Sequence, residues 1–235
     1  RRDSLRTATR RKHRSALGTF VEWTDEVGIG DMNDVGGRQL MEFKTWRKTE
    51  SDLTVVSLNG NLAILQRFLR FSENVDAVAE GLADRVPLPN VPPGEEVNDW
   101  VPTDEAVEGI RSYFRQFEYA SRRHAVFELI AEVGLRLGGV LAIDLTDFDR
   151  KEMVIHLRHR PEGAEVYGTP LKNGRDGERI INISEQLREF LVDYVEHNRA
   201  GIVDEYGREP LFTTPSGRPS TATIRRDFYK MTRPC

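Results

Sequence analysis

Apolar residues recur at helical spacing through most of the first 86 positions. The i, i+3, i+4, i+7 pattern predicts a helix with one buried face, and its first example is Leu17, Phe20, Val21 and Thr24. A stripe of leucines predicts a second helix; its members are Leu58, Leu62, Leu65 and Leu69. Glycines separate the first helix from another helical segment, RQLMEFKTWRK. The pattern therefore predicts a compact helical bundle.

The C-terminal part begins with two more predicted helices. Thr103 can cap the first, with Asp104 and Glu105 in its first turn. The apolar stripe of this helix is Val107, Ile110, Phe114 and Phe117. The next stripe is Val126, Leu129, Ile130 and Val133, and we expect this helix to end at Gly134.

From Met153 onward, the spacing of apolar residues changes from that of a helix to that of a strand. Met153, Ile155 and Leu157 alternate with Val154, His156 and Arg158, which is strand spacing, and RIINI at 179–183 predicts a second strand. Asn173-Gly174 between them is a strong signal for a hairpin turn. Helices are predicted again at 185–198 and at 220–232. The predicted fold class is mainly α with a small antiparallel β-sheet.

A proline-rich stretch divides the chain. VPLPNVPPGEEVNDWVP, residues 86–102, has five prolines, and this density favours an extended, semi-rigid connection. We predict a helical domain over 1–86, a linker over 87–102 and a mixed domain over 103–235.

Composition excludes several classes of protein. The 235 residues contain one cysteine, Cys235, so the chain can form no internal disulfide and no cysteine-based metal site. No apolar run approaches the roughly 18 residues of a membrane helix. We therefore expect a cytoplasmic protein without membrane contact.

Basic residues are clustered although the net charge is -4. Residues 1–14 hold seven basic residues against Asp3. A local basic stretch in an acidic protein favours contact with an anion such as nucleic acid, and the alternative is a solvated or targeting tail. Candidate DNA contacts, which could equally be solvated helix faces, are Arg6, Arg10, Arg11 and Arg14 in this stretch and Arg225, Arg226 and Lys230 in the last helix.

Arg136 lies in an otherwise apolar segment, GLRLGGVLAIDLTDFD. An arginine there is costly to bury unless it meets an anion. Two interpretations stay open: Arg136 binds an external anion, or it pairs with Asp144 or Asp147 as a structural clamp.

The order of these segments resembles the tyrosine recombinase, or phage integrase, family, in a form similar to that of salt-loving archaea. GLRLGGVLAIDLTDFD is similar to the family's first arginine box, GTPLKNGRDGERIINIS to the β-hairpin with its catalytic lysine, and PLFTTPSGRPSTATIRRDFYK to the segment that leads to its next helix. The resemblance implies a helical, SAM-like core-binding domain followed by a partial α+β catalytic domain. It implies that double-stranded DNA is the partner and that the intact protein assembles into a tetramer on DNA.

The resemblance also implies a chemistry without metal or other cofactor. A tyrosine attacks a DNA phosphate, arginines and a histidine hold the phosphoryl oxygens, and a lysine protonates the leaving oxygen. Arg136 would be the first phosphate-binding arginine and Lys172 the general acid. Arginine suits the first role because its planar fork contacts two oxygens at once. Lysine suits the second because a flexible stem can carry a proton to the leaving group.

The sequence departs from the family pattern at several points. Gly139 stands where the family often has an acid, no His-x-x-Arg occurs in the chain, and Tyr194, Tyr206 and Tyr229 all precede the place of that box. We therefore expect a C-terminally incomplete recombinase that lacks the nucleophilic tyrosine. The alternatives are a degenerate integrase that binds DNA without catalysis and a helical protein without any nucleic-acid role.

The cluster HLRHR looks like a catalytic box but has the wrong spacing. It contains His156, Arg158, His159 and Arg160. The alternation of Met153, Ile155 and Leu157 indicates a strand, and the segment precedes Lys172. We interpret the cluster as the exposed polar face of a strand that supports Lys172.

Overall fold

The structure is a computed structural model that describes residues 7–95, 100–161 and 168–231. The chain divides into two compact units, Arg1–Trp100 and Val101–Cys235. The division falls inside the stretch that the prolines mark in the sequence.

The first unit is a bundle of three α-helices. They are α1 Thr7–Glu26, α2 Gly37–Ser51 and α3 Val55–Glu73, with short 3-10 turns at Met32–Asp34 and Ala83–Arg85. Thr54 caps α3 by accepting a hydrogen bond from the Ser57 N–H. An aromatic cluster of Phe20, Trp23 and Phe43 packs with the predicted leucines in one core.

One position of the predicted stripes is wrong in this unit. Val21 was expected to face the core, yet it is 54% exposed. Phe20, Trp23 and Thr24 fill the core side of α1. A helix buries a stripe of limited width, so Val21 at its edge lies outside.

The second unit holds five α-helices among the described residues. They are α4 Asp104–Phe117, α5 Arg122–Val133, α6 Leu137–Ala142, α7 Glu185–Asp193 and α8 Thr221–Met231. Thr103 caps α4 through the Ala106 N–H, and Gly134 ends α5 in the left-handed conformation at φ 65°, as expected. The predicted helix at 185–198 finishes in a π-helical turn, Tyr194–Asn198. Phe117, expected in the core, is 64% exposed.

A small antiparallel sheet lies in the second unit. Its strands are β1 Phe148–Asp149, β2 Val154–Leu157 and β3 Arg179–Asn182, in the order β1-β2-β3. Ile155 pairs with Ile181 and also with Phe148. The sheet and the helices share a core that contains Ile155, Leu157 and Ile181. The predicted fold class, mainly α with a small antiparallel sheet, is confirmed.

Two local predictions in the sheet region are wrong. Met153 precedes the strand in a turn with φ 55°. Asn173-Gly174 does not join the paired strands as a two-residue turn, because Asn173 begins a 3-10 helix, Gly174–Gly177. The connection from β2 to β3 runs from residue 158 to residue 178, and a local dipeptide signal does not reveal such a length.

Candidate active site and nucleic-acid interface

Arg136 lies at the junction of α5 and α6. Its backbone is extended, with φ -63° and ψ 144°, and its carbonyl accepts hydrogen bonds from the Gly139 and Val140 N–H groups. The side chain is exposed. It makes no hydrogen bond or ion pair with any residue in the described part of the chain. The local backbone therefore presents a charged guanidinium to solvent at the start of a short helix.

The aspartates proposed as a clamp for Arg136 are held by other arginines. Asp144 and Asp147 are 4% and 0% exposed. The partners of the two carboxylates are Arg158, Arg160, Arg208 and Arg218. Among the described residues, Arg136 is not one of them. A clamp exists at this place, but Arg136 does not form it.

Asp144 is the centre of this buried network. Its carboxylate accepts from Arg208 at 3.0 Å and pairs with Arg218 and, at 3.3 Å, with Arg160. Arg218 also binds Asp204 at 2.7 Å and donates to the Leu141 carbonyl at 2.6 Å. The network therefore ties the end of α6 to the segment that precedes α8.

Arg160 links the same network to the connection between β2 and β3. Its guanidinium donates to the Ala142 carbonyl at 3.1 Å and to Asp147 at 2.8 Å. Burial alone would lower the pKa of Arg160, but the hydrogen bond to Asp147 and the charge of Asp144 outweigh burial and raise the pKa. Arg158 is exposed, but His156, His159 and Arg160 are only partly exposed, so the prediction of an exposed polar cluster is wrong for these three residues.

Gly139 brings α6 close to β2. An added Cβ would lie 3.7 Å from the side chains of Leu135 and Leu157. A carboxylate at this position would stand against two leucine side chains, where burying its charge is costly. Gly139 therefore serves as a packing position.

Lys172 is exposed and belongs to residues 171–178, which we call the lysine loop. Leu171, just before it, is 4% exposed and anchors the loop in the core. The Gly174 N–H donates to the Leu171 carbonyl at 3.0 Å and closes a turn around Lys172. Arg136 and Lys172 thus belong to one unit. Within it, Gly139 packs α6 against β2, and Arg160 ties the segment after β2 to the end of α6.

The basic residues of α1 border an open groove between α1 and α3. The groove has a volume of about 470 Å³, and its lining is Thr9, Lys12, His13, Gly60, Ala63, Ile64 and Arg67. Arg10, Arg11 and Arg14 are exposed on α1, whereas Arg6 lies outside the described residues. Lys12 and Arg67 are exposed, and neither forms an ion pair with a described residue.

The α3 side of this groove was not among the predicted contacts. Gly60, Ala63, Ile64 and Arg67 follow the same i, i+3, i+4, i+7 spacing as the leucine stripe. The Lys12 Nζ lies 3.5 Å from the position that a Gly60 Cβ would take. The glycine therefore leaves room for the Lys12 side chain. The spacing alone would have placed the four α3 residues on one face of the helix.

The basic residues of α8 also face solvent. Arg225, Arg226 and Lys230 are exposed, whereas Ile224 is 1% exposed and packs in the core. Asp227 on the same helix binds Arg122 at 2.7 Å. Ile224 and Asp227 therefore hold this helix against the rest of the unit, and its basic side chains lie on the solvent side.

No family model matches the chain, and no curated protein matches it significantly. Solved structures do. The Tn1549 transposon integrase in complex with a circular intermediate DNA is 17% identical, with 99% of this chain and 76% of that chain covered and a TM-score of 0.73. A lambda integrase dimer bound to a COC′ core site is 12% identical, with 97% and 74% covered and a TM-score of 0.69.

The chain has the fold of the tyrosine recombinases. The N-terminal domain of a phage integrase/site-specific recombinase from Haloarcula marismortui is 32% identical; 38% of this chain and 85% of that chain are covered, with a TM-score of 0.37. The recombinase fold agrees with the order of segments in the sequence.

Three tyrosines of this recombinase fold, Tyr194, Tyr206 and Tyr229, have different surroundings. Tyr194 is 0% exposed, and its hydroxyl accepts from the Thr213 N–H at 3.0 Å. Burial and the Glu205 carboxylate raise the pKa of Tyr206 to about 12, which keeps its hydroxyl protonated. Tyr229 on α8 is 66% exposed. Burial and a high pKa make Tyr194 and Tyr206 poor nucleophiles.

The described residues of this recombinase fold contain neither a cluster of metal-binding side chains nor a membrane-spanning helix. These residues contain no group of three or more His, Cys, Asp and Glu side chains that could hold a metal ion. Within the same residues, every helix is too short or too polar to cross a membrane.

Proposed function

We propose that this chain is the core-binding part and a portion of the catalytic part of a site-specific DNA recombinase. The intact protein would cleave and rejoin double-stranded DNA through a phosphotyrosine intermediate, in the cytoplasm and without a metal or other cofactor. Its domains would be residues 1–86 and 103–235, joined by the linker 87–102. Likeness to the two integrases, which were solved with DNA, supports the proposal.

The exposed guanidinium of Arg136, unpaired among the described residues, is the observation that carries this proposal. Nearby arginines pair with Asp144 and Asp147, whereas Arg136 pairs with no described residue and is open to an external anion. Arginine stays charged and can bind two phosphate oxygens at once, so it can stabilise the charge that grows in the transition state. Arg136 is therefore assigned as a phosphate-binding residue.

Lys172 is assigned as the general acid. It is exposed on a short loop whose preceding residue, Leu171, is fixed in the core. A lysine on such a loop has a fixed base and a long, flexible stem, and its ammonium can deliver a proton to the leaving 5′ oxygen. This protonation prevents the build-up of negative charge on the leaving group.

Duplex DNA would contact both units. The groove between α1 and α3 offers Lys12 and Arg67 to the phosphate backbone, and Arg10, Arg11 and Arg14 would extend this contact along α1. Arg6 would add to the same stretch. Arg225, Arg226 and Lys230 would contact phosphates from the second unit. Phosphate contacts of this kind give affinity and position without reading sequence.

The chain covers about three quarters of the length of the two integrases that it resembles. We assign the His-x-x-Arg box and the nucleophilic tyrosine to residues that follow Cys235 in the intact protein. The intact protein would act as a tetramer on paired DNA sites. If the reading frame instead stops at Cys235, the chain is a DNA-binding protein without catalysis.

The test begins with the coding sequence beyond Cys235. An open frame with His-x-x-Arg and then a tyrosine supports the enzyme, and the extended chain should form a covalent adduct with a nicked suicide substrate. The 235-residue chain should bind the same DNA and form no adduct. Arg136→Ala in the extended chain should slow cleavage on the order of 10²-fold or more.

Arg150→Ala is the matched control, because Arg150 is exposed and pairs with Glu196 on the surface. It should cleave DNA at nearly the normal rate. An adduct on the 235-residue chain would place the nucleophile within these residues and overturn the assignment. A normal cleavage rate for Arg136→Ala would remove Arg136 from the active site.

A further inference from the structure

His159 binds both ends of the lysine loop. Its ring Nδ1 accepts a hydrogen bond from the Leu171 N–H at 3.0 Å. Its own backbone N–H donates to the Glu178 carboxylate at 2.7 Å. Leu171 is the first residue of the lysine loop and Glu178 is the last, so one histidine holds both ends.

The bond to Leu171 requires one protonation state of the imidazole. A nitrogen that accepts a hydrogen bond carries no proton, so His159 must be neutral, with its proton on Nε2. A second proton would occupy Nδ1 and place two donors face to face. The Leu171 N–H would then lose its hydrogen bond to His159, and the loop would lose one of its two ties to this residue.

We propose that His159 is a positioning residue that holds the lysine loop in place while its imidazole is neutral and releases the Leu171 end when the imidazole gains a second proton. The value of this device for catalysis rests on the proposed role of Lys172. The tie itself rests on the two hydrogen bonds and stands whether or not Lys172 is catalytic.

Charged groups around His159 come from three elements. Its own segment contributes Arg158 and Arg160, which bind Asp147 in the 3-10 helix Leu145–Asp147. From the lysine loop, Glu178 binds the His159 backbone N–H, and the other charged residues of that loop are Lys172, Arg175 and Asp176. Imidazole is the side chain whose charge ordinarily changes between pH 5 and pH 8, so the experiment spans that range.

The experiment is amide hydrogen exchange on the 235-residue chain, read by NMR between pH 5 and pH 8. Protection factors correct for the intrinsic pH dependence of exchange. Leu171 protection should fall roughly fivefold from pH 8 to pH 5, the size of one net hydrogen bond. The Ile183 N–H, which donates to the Met153 carbonyl, should keep its protection over the same range.

Three variants separate positioning from general stability. His159→Asn keeps an acceptor near the place of Nδ1 and should protect Leu171 equally at both pH values. His159→Ala should lose the protection at both. His156→Asn changes the neighbouring histidine of β2, which makes no hydrogen bond to the lysine loop among the described residues, and it should behave like the unchanged chain.

The proposal is overturned if Leu171 protection does not change with pH in the unchanged chain. It is equally overturned if His159→Ala leaves that protection intact. Because this readout contains no DNA, a failure here leaves the cleavage test unaffected, and a failed cleavage test leaves the tie unaffected.

Discussion

Removal of the Asp144 charge is predicted to destabilise the unit Val101–Cys235 by about 3 kcal/mol. Asp144 is 4% exposed, and its carboxylate pairs with Arg160, Arg208 and Arg218. In Asp144→Asn the amide keeps the size of the carboxylate but carries no charge. Arg160 and Arg218 then keep one aspartate each, and the Arg208 guanidinium keeps none.

The magnitude follows from the partners that each arginine keeps. Arg218 keeps Asp204, and Arg160 keeps Asp147. Arg208 keeps the Thr169 hydroxyl at 3.2 Å and the face of the Tyr206 ring, 5.2 Å from its centre, but its guanidinium pairs with no other carboxylate among the described residues. Breaking a buried ion pair from one side costs about 3 to 5 kcal/mol. The Arg160 and Arg208 side chains are 22% and 20% exposed, so water still reaches them and the cost should lie at the lower end of this range.

The assay must follow the two units separately. Trp23, Trp46 and Trp100 all lie in the first unit, so tryptophan fluorescence reports denaturant unfolding of that unit. Exchange of the Leu211 N–H, which donates to the Ile143 carbonyl at 3.0 Å, reports opening of the second. Asp144→Asn should shift the second signal and leave the fluorescence midpoint unchanged.

Glu196→Gln is the matched control within the same unit. Glu196 pairs with Arg150 at 2.7 Å, and the two side chains are 49% and 42% exposed. An exposed pair of this kind contributes about 0 to 1 kcal/mol. If Asp144→Asn costs no more than Glu196→Gln, the buried network does not hold the second unit together.

Two further predictions concern the groove and the network. Gly60→Asp should weaken duplex DNA binding, because the new carboxylate stands beside the Lys12 ammonium. The dependence of log affinity on log salt concentration should become shallower by about 0.9 for each phosphate that is no longer neutralised. Equal weakening by the uncharged Gly60→Asn would contradict this. Burial alone would raise the pKa of Asp204, but hydrogen bonds from the Arg208 N–H and from Arg218 outweigh burial and lower the pKa. Asp204 therefore stabilises the fold above about pH 4 and loses this effect as pH falls through its folded-state pKa. Asp204→Asn should flatten the pH dependence of Leu211 exchange protection below about pH 4, and an unchanged slope would refute the assignment.

Local chemistry made the long helices predictable. The apolar periods and the capping residues Thr103 and Gly134 lie within or beside the helices that they define, so a short window of sequence contains the signal. The six residues of α6 and the two of β1 are too few to display a period. Val21 and Phe117 fit a stripe but lie outside the core, because packing partners decide which edge of a stripe is covered.

The buried network could not be predicted in full, because its partners are far apart in sequence. Asp144 and Arg218 are 74 positions apart, and Asp144 and Arg208 are 64 apart. One signal was present: Asp144 and Asp147, two of the three aspartates in the segment AIDLTDFD, must find cations if they are buried. Nothing local says which arginines they find, and Arg136 and Arg150 both lie nearer to Asp144 along the chain than any of its actual partners.

The partners of Asp144 and Asp147 sharpen the interpretation of Arg136. Four arginines, Arg158, Arg160, Arg208 and Arg218, meet three aspartates, Asp144, Asp147 and Asp204, so the network already carries an excess of positive charge. Adding Arg136 to it would raise that excess in a region of low dielectric, and repulsion would oppose it. The same network holds Leu141 and Ala142 at the end of α6, the helix that Arg136 begins. The arginines that pair with aspartates thus fix the backbone from which Arg136 projects, and this division of roles supports the proposal that Arg136 binds a phosphate.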